Sequence, residues 1–387
     1  MRVAGSEARS SGDAERGALG SLALAPVTIT PTKPLTPSHV KGLLWLDVMR
    51  KGTSELVETA YVWNSRTPCL SAQTLAFWEY LDRTVGEAAW DRCTERELGE
   101  LYVRCHAQAE PPGFDALRPY LDRVEAEGWT HPASRRLIDL WLEQLGLLAI
   151  EDPGMAVDRA PGLSAADALD LLDERGLLVD HRRFGGPAYV DGARWGLPLR
   201  QLVGEDGHAN YVLAVLRELI PLIGRHDRFL LAFDEELAED YVLIDRVLCE
   251  LGASVSRLAL GRVPIDGAIR SSRHGGWEGH TLADLSRLCL EQFDLPAYRL
   301  GMRIYFIAIL KRSSPQSFRP ELLRRSLLRA QRIIETPGSG SGDDDYLAFL
   351  RDKLADGGYV DPHRLTTSLL DRHRRVPTER LVRSVFL

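Results

Sequence analysis

The chain has 387 residues and a formal net charge of −7, and its positive charge is carried almost wholly by arginine. That length suffices for two or three packed domains, and the mildly negative balance excludes global electrostatic binding of nucleic acid, leaving RNA only a local basic patch. No apolar run approaches the ~20 residues that span a bilayer, and the five cysteines, Cys69, Cys93, Cys105, Cys249 and Cys289, stand singly with no CxxC pair, so neither a disulfide framework nor a zinc ribbon is expected.

Met1 to Gly20 is rich in Gly, Ser, Ala and charge and lacks the apolar segment of a signal peptide. Residues 1–25 are therefore expected to be a disordered tail on a cytoplasmic protein. Val27-Thr28-Ile29-Thr30 then reads as a short β-branched strand, followed by a Pro-rich loop that delivers Ser38-His39 to an apolar helix ending near Gly52. The first turn of a helix carries backbone N–H groups without internal partners and so favours an anion. Lys33 and Lys41, two of only five lysines, flank His39. Leu56 to Val62 is the next strand candidate, which closes a βαβ unit with parallel strands and a ligand site at their carboxyl ends.

From about Ser71 to Ala149 the pattern is helical, broken at Pro111-Pro112-Gly113 and Thr130-His131-Pro132. Trp78, Trp90, Tyr102, Trp129 and Trp141 recur at helical spacing and are expected in the core, and Cys105-His106 is expected to pack rather than bind metal. Another amphipathic helix, capped by Ser164, follows. Alternation then resumes with Phe184 to Val190, a strand from Leu199 to Gly204, a helix Asn210 to Ile223, a strand Arg228 to Phe233, a helix Glu239 to Gly252 and a strand Val255 to Leu260. The fold class expected is α/β, a doubly wound parallel sheet with a helical insertion and a helical C-terminal region. Gly204-Glu205-Asp206-Gly207-His208 lies at a strand-to-helix junction, which would aim Asp206 and His208 into the crevice of His39. Ile269 to Gly276, IRSSRHGG, is a basic loop ending in glycine, suited to clamping phosphates.

In this order His39-Val40-Lys41-Gly42, Gly204 to His208, Ser271-Ser272-Arg273-His274-Gly275 and Thr281-Leu282-Ala283-Asp284-Leu285 resemble the catalytic core of class I aminoacyl-tRNA synthetases, of the arginyl or cysteinyl type, in a divergent and truncated form. HVKG resembles the HIGH signature, IRSSR the KMSKS signature or its KMSSR variant, and Gly204 to His208 the GADxH segment. The resemblance covers roughly Val27 to Ile334. It implies a Rossmann-like, HUP-type nucleotide-binding domain over residues 26–70 and 181–268, an insertion at 71–180, a signature loop and stem at 269–335, a linker at 336–345 and a helical tail at 346–387.

The resemblance further implies a ligase that uses ATP and Mg2+ to convert an amino acid into an aminoacyl-adenylate, with tRNA or a small amine or thiol as acceptor. DNA and membranes are not expected partners, nor is a metal held by the protein. Catalysis would fall to His39, Lys33, Lys41 and Arg273. ATP would contact Thr30, Gly42, Ser271, Ser272, His274 and Gly275, while Asn64, Tyr189, Gly204, Asp206 and His208 would face the amino acid and adenosine. The chain departs from the signatures at Gly42, in place of the second histidine, at Lys41, in place of the glycine that admits adenine, and at Ile269 and Ser272, in place of the two lysines. Lys33 is then the residue expected to compensate. A paralogue that keeps the pocket for binding nucleotide, amino acid or RNA is the alternative reading. Pro320 to Glu335 carries Arg324, Arg325, Arg329 and Arg332, and the tail after Thr336 to Asp345 is short for the family's anticodon-binding bundle.

Overall fold

The computed structural model describes residues 20–108, 110–269, 272–336, 343–371 and 376–387. A parallel sheet of four strands, in the order β2-β1-β6-β7, forms the centre. Its strands are β1 (Ser21–Ala25), β2 (Glu58–Tyr61), β6 (Arg228–Asp234) and β7 (Val255–Leu260). Leu22 and Leu24 face one core while Ala23 faces another, and all three are fully buried, so helices cover both sheet faces.

The first strand is displaced from its expected position. It is SLALA, assigned above to the tail, whereas Val27 to Thr30 lies in the connection beyond it. Pro26 has no N–H to offer the ladder, and pairing stops there. The β-branched run instead covers the carboxyl end of β1, with Ile29 buried. Helix α1 (Pro37–Ser54) follows, with proline in its first turn and buried residues nearly all round, and leads to β2.

Four helices, α2 (Ala72–Thr84), α3 (Glu95–His106), α4 (Phe114–Glu127) and α5 (Pro132–Leu147), share a core of Trp78, Phe77, Tyr102, Val124 and Leu137. Helix α6 (Ala165–Glu174) then precedes a second correction. Residues 178–203 do not extend the parallel sheet; β3 (Leu178–Asp180), β4 (Ala188–Val190) and β5 (Arg200–Val203) form a separate antiparallel sheet. Connections of seven and nine residues join these short strands, and a parallel crossover needs a dozen or more. Helix α7 (Tyr211–Leu219) leads to β6, and α8 (Ala238–Glu250) crosses from β6 to β7.

The remaining helices contribute to the core that α1 shares. They are α9 (Leu282–Leu290), α10 (Leu295–Arg303), continued by wider turns over Ile304–Ile309, α11 (Pro320–Glu335), α12 (Asp343–Arg351), α13 (Pro362–Ser368) and α14 (Thr378–Leu381). Tyr346, Val360, Leu365, Val385 and Phe386 belong to the same core as Leu44 and Val48, so the C-terminal region is part of the main body rather than an appended tail. Gly52 permits this contact, since a Cβ there would stand only 3.2 Å from Val360, whose N–H donates to Thr53 Oγ1 at 2.9 Å. Asp343 to Asp345, expected in the linker, already form the first turn of α12. No described helix is long and apolar enough to cross a membrane.

Candidate active site

Between the carboxyl ends of β1 and β6, where successive crossovers diverge to opposite sides, lies a cavity of about 360 Å³. Pro26 and Val27 line it from the connection after β1, Asp234 from β6, Arg262 and Val263 from the segment after β7, and His39, Gly42, Leu43 and Leu46 from α1. Lys33 and Gln73 close one wall, with Arg273, Gly275 and Trp277.

His39 is the third residue of α1. Its Nδ1 accepts the Thr36 N–H at 3.1 Å, and the Thr36 hydroxyl stands 3.2 Å from the same nitrogen. With Nδ1 an acceptor, a neutral ring carries its proton on Nε2. Burial, reinforced by the cations Lys33 and Arg262, pushes the imidazole down to about 3, so it is neutral near pH 7. The same wall lowers Lys33 to about 8, through burial and then the charges of Arg273 and Arg262, and the ammonium lies 5.4 Å from the Tyr102 ring centroid. Arg262 is held by Asp234 at 2.6 Å and Glu236 at 2.9 Å.

The insertion positions the second loop. Gln73 of α2 donates to Thr30 Oγ1 at 3.1 Å and accepts from Arg273 at 3.0 Å. Trp277 and Pro34 lie against Gly99 of α3, where a Cβ would come within 2.7 Å of both. The Leu35 N–H donates to buried Glu95 at 3.1 Å, and the Leu35 carbonyl accepts the Leu282 N–H at 2.8 Å. Burial raises the Glu95 carboxyl to about 7. Insertion, Lys33 loop and second loop are thus tied to one another.

The structure brings His39, Lys33, Gly42, Arg273 and Gly275 together on one cavity. Thr30 reaches it through Gln73, and His274 is exposed. Ser271, like Arg270, lies outside the described residues, as does the side chain of Ser272. Lys41, expected to be catalytic, does not itself line the cavity: its buried ammonium donates to the carbonyls of Gly261, a lining residue, at 2.8 Å and of Arg312 at 2.7 Å. Asn64 is buried outside the cavity lining, its Oδ1 accepting the N–H groups of Arg66 and Thr67.

Tyr189, Gly204, Asp206 and His208 are not in the His39 crevice, because the antiparallel sheet carries them elsewhere. Asp206 accepts the His208 N–H at 3.0 Å within its own turn, His208 packs edge-on to Phe114, and Asn210 rather than Asp206 caps α7. Sequence reasoning missed Asp234, Glu236, Arg262 and Gln73. An acid directly after the apolar run RFLLAF was the available signal for Asp234; Gln73 had none. Among the described residues no cluster of three or more His, Cys, Asp or Glu could hold a metal ion.

The fold is that of the class I aminoacyl-tRNA synthetases. Among solved structures, the chain is similar to a putative arginyl-tRNA synthetase from Campylobacter jejuni, with a TM-score of 0.55 and 14% identity over 95% of this chain and 84% of that one. It is also similar to the Thermus thermophilus arginyl-tRNA synthetase, with a TM-score of 0.63 and 12% identity over 95% of this chain and 79% of that one. At such identities the likeness is one of fold. No protein-family model and no curated protein matches the sequence.

Proposed function

We propose that the chain is a cytoplasmic, ATP-dependent amino-acid-activating ligase whose Rossmann-like, HUP-type core makes an aminoacyl-adenylate and passes the acyl group to tRNA or a small amine or thiol. The observation that carries this reading is the neutral His39, with Nε2–H free to donate, on the same cavity wall as Lys33 and Arg273. Activation proceeds by attack of an amino-acid carboxylate oxygen on the α-phosphorus of ATP, with pyrophosphate leaving. Negative charge grows on the phosphate oxygens, and a fixed neutral donor at a helix start, with cations beside it, stabilises it without reorganisation. Mg2+ would be carried by the nucleotide phosphates. Exposed Arg324, Arg325 and Arg332 on α11 are available to RNA phosphate.

One observation favours a second reading, a paralogue that binds without turnover. The resemblance assigns position 41 to a glycine that admits adenine, and here the Lys41 side chain occupies the gap between α1, Gly261 and Arg312. Amino-acid-dependent exchange of pyrophosphate into ATP separates the two: exchange abolished by His39→Ala supports the enzyme, while nucleotide-induced thermal stabilisation with no exchange supports the paralogue.

A further inference from the structure

Behind the segment that follows β1 is a second, smaller cavity of about 30 Å³, lined by Pro26, Thr28, Trp63, Thr67, Glu218 and Tyr241 among others. Pro26 also lines the large cavity, so the two are neighbours across one residue. Three residues of its lining carry a buried polar atom with no hydrogen-bond partner among the described residues: Trp63 Nε1, Thr67 Oγ1 and Glu218 Oε1. Trp63 and Glu218 are more than nine-tenths buried. Buried polar groups are satisfied in more than about 90% of cases, so three orphans at one place call for an occupant.

Their chemistry selects it. Asn64 is not part of the lining: its oxygen accepts the N–H groups of Arg66 and Thr67, and its side chain is hydrogen-bonded to Glu218. Trp63 Nε1 is a donor only, and Glu218 Oε1 an acceptor. The charge of Glu218 is already met by Arg159, 3.5 Å from its other oxygen. A guanidinium or ammonium has donors but no acceptor. It would add a second cation beside Arg159 and leave Trp63 unsatisfied. A carboxamide answers both, its oxygen accepting from Trp63 and its nitrogen donating to Glu218, and a hydroxyl can do the same through its one oxygen. The volume agrees, since one water needs at least ~10–15 Å³ by the same measure and the cavity therefore accommodates about two polar atoms.

We propose that this cavity is the side-chain pocket for the amino acid that the protein activates, and that it takes a neutral side chain that both donates and accepts, a carboxamide or a hydroxyl, rather than the guanidinium that its structural neighbours' name implies. The proposal rests on the amino-acid-activating reading above. A substrate that spans the two cavities has its carboxylate with His39, Lys33 and Arg273 and its side chain beyond Pro26. No bond is made or broken in the small pocket; its work is selection.

The test is calorimetric binding of asparagine, glutamine, serine and threonine to the full chain with ATP present, against arginine, lysine and the near-isosteres leucine and valine. The expected result is binding by a member of the neutral polar set at least ~100-fold tighter than by its apolar isostere, because an isostere strands the buried groups. Thr67→Val and Glu218→Gln should each weaken that binding about tenfold or more, two variants guarding against misfolding of either. Tightest binding by arginine or lysine overturns the proposal, as does equal binding of threonine and valine, or no binding by any amino acid, which leaves water alone to fill the pocket. Selective binding without pyrophosphate exchange supports the pocket while refuting adenylate formation, so the two failures are distinct.

Discussion

The Thr36 backbone N–H donates to Nδ1 of His39 at 3.1 Å, so a histidine closes the first turn of α1 where a glutamate or glutamine commonly completes a capping box. The bond fixes the tautomer, and the tautomer leaves Nε2–H as the donor. Because burial lowers the imidazole to about 3 from its usual 6.5, the ring is neutral across ordinary working pH and contributes no inflection to a rate profile between pH 5 and 9. The sign for stability follows: the unfolded chain binds the proton first, so stability is present above about 6.5 and is lost as pH falls toward 3. His39→Gln keeps a cap acceptor and removes the imidazole donor. It should fold with a melting temperature near that of the wild type and lose about 10²–10³ in exchange rate, as measured by pyrophosphate exchange beside a thermal melt.

Lys33 is a cation confined where cations are disfavoured. Its folded value of about 8 lies below the usual 10.5, so at pH 7 both states are protonated and its cost is fully present, while stability recovers as pH rises from about 8 to 10.5. Lys33→Met should therefore stabilise the fold at pH 7 while abolishing exchange, a separation of function from stability. Urea unfolding at pH 7 and the exchange assay together check it; a destabilised variant would contradict the electrostatic origin of the shift.

At Gly99, a Cβ would come within 2.7 Å of both Trp277 and Pro34, so the second loop and the Lys33 loop are seated on the one α3 position without a side chain. Gly99→Ala should cost about 1–3 kcal/mol. It should also raise the KM for ATP more than it lowers kcat, because it displaces the walls of the cavity. Denaturant titration and steady-state exchange kinetics measure the two effects.

Glu95 supplies a pH dependence of opposite sense. Burial raises its carboxyl from 4.5 to about 7, so the folded state binds the extra proton and stability falls as pH rises through that interval. Glu95→Gln retains an acceptor for the Leu35 N–H and removes the charge. Relative to the wild type it should gain stability at pH 8 and show no such gain at pH 4.5, as read from denaturation midpoints at the two values.

Much of the main cavity was legible in the sequence because local chemistry specifies it. A helix opened by proline and followed by His39, with Lys33 upstream and a glycine-ended basic loop after the last strand, is a short-range pattern. The error at β1 was also local in origin: Val27 to Thr30 has the stronger strand propensity, yet SLALA lies inside the sheet, and burial outweighs propensity once Pro26 stops the ladder. The misplacement of Asp206 and His208 had another cause. Strand-to-helix junctions look alike in sequence whether the strand is parallel or antiparallel, and only pairing of β5 with β4 settles which crevice they face. Gln73, Gly99 and Glu95 act through partners dozens of positions away or more, and the Gln73–Arg273 bond spans 200 residues, a relationship that no local pattern carries.

The most direct test is pyrophosphate exchange into ATP by the full chain, screened over all twenty common amino acids with His39→Ala and Lys33→Ala in parallel. Exchange supported by a particular amino acid, and lost in both variants, is the result expected. Absence of exchange with every amino acid while the chain still binds ATP, or near-wild-type exchange in either variant, would contradict it.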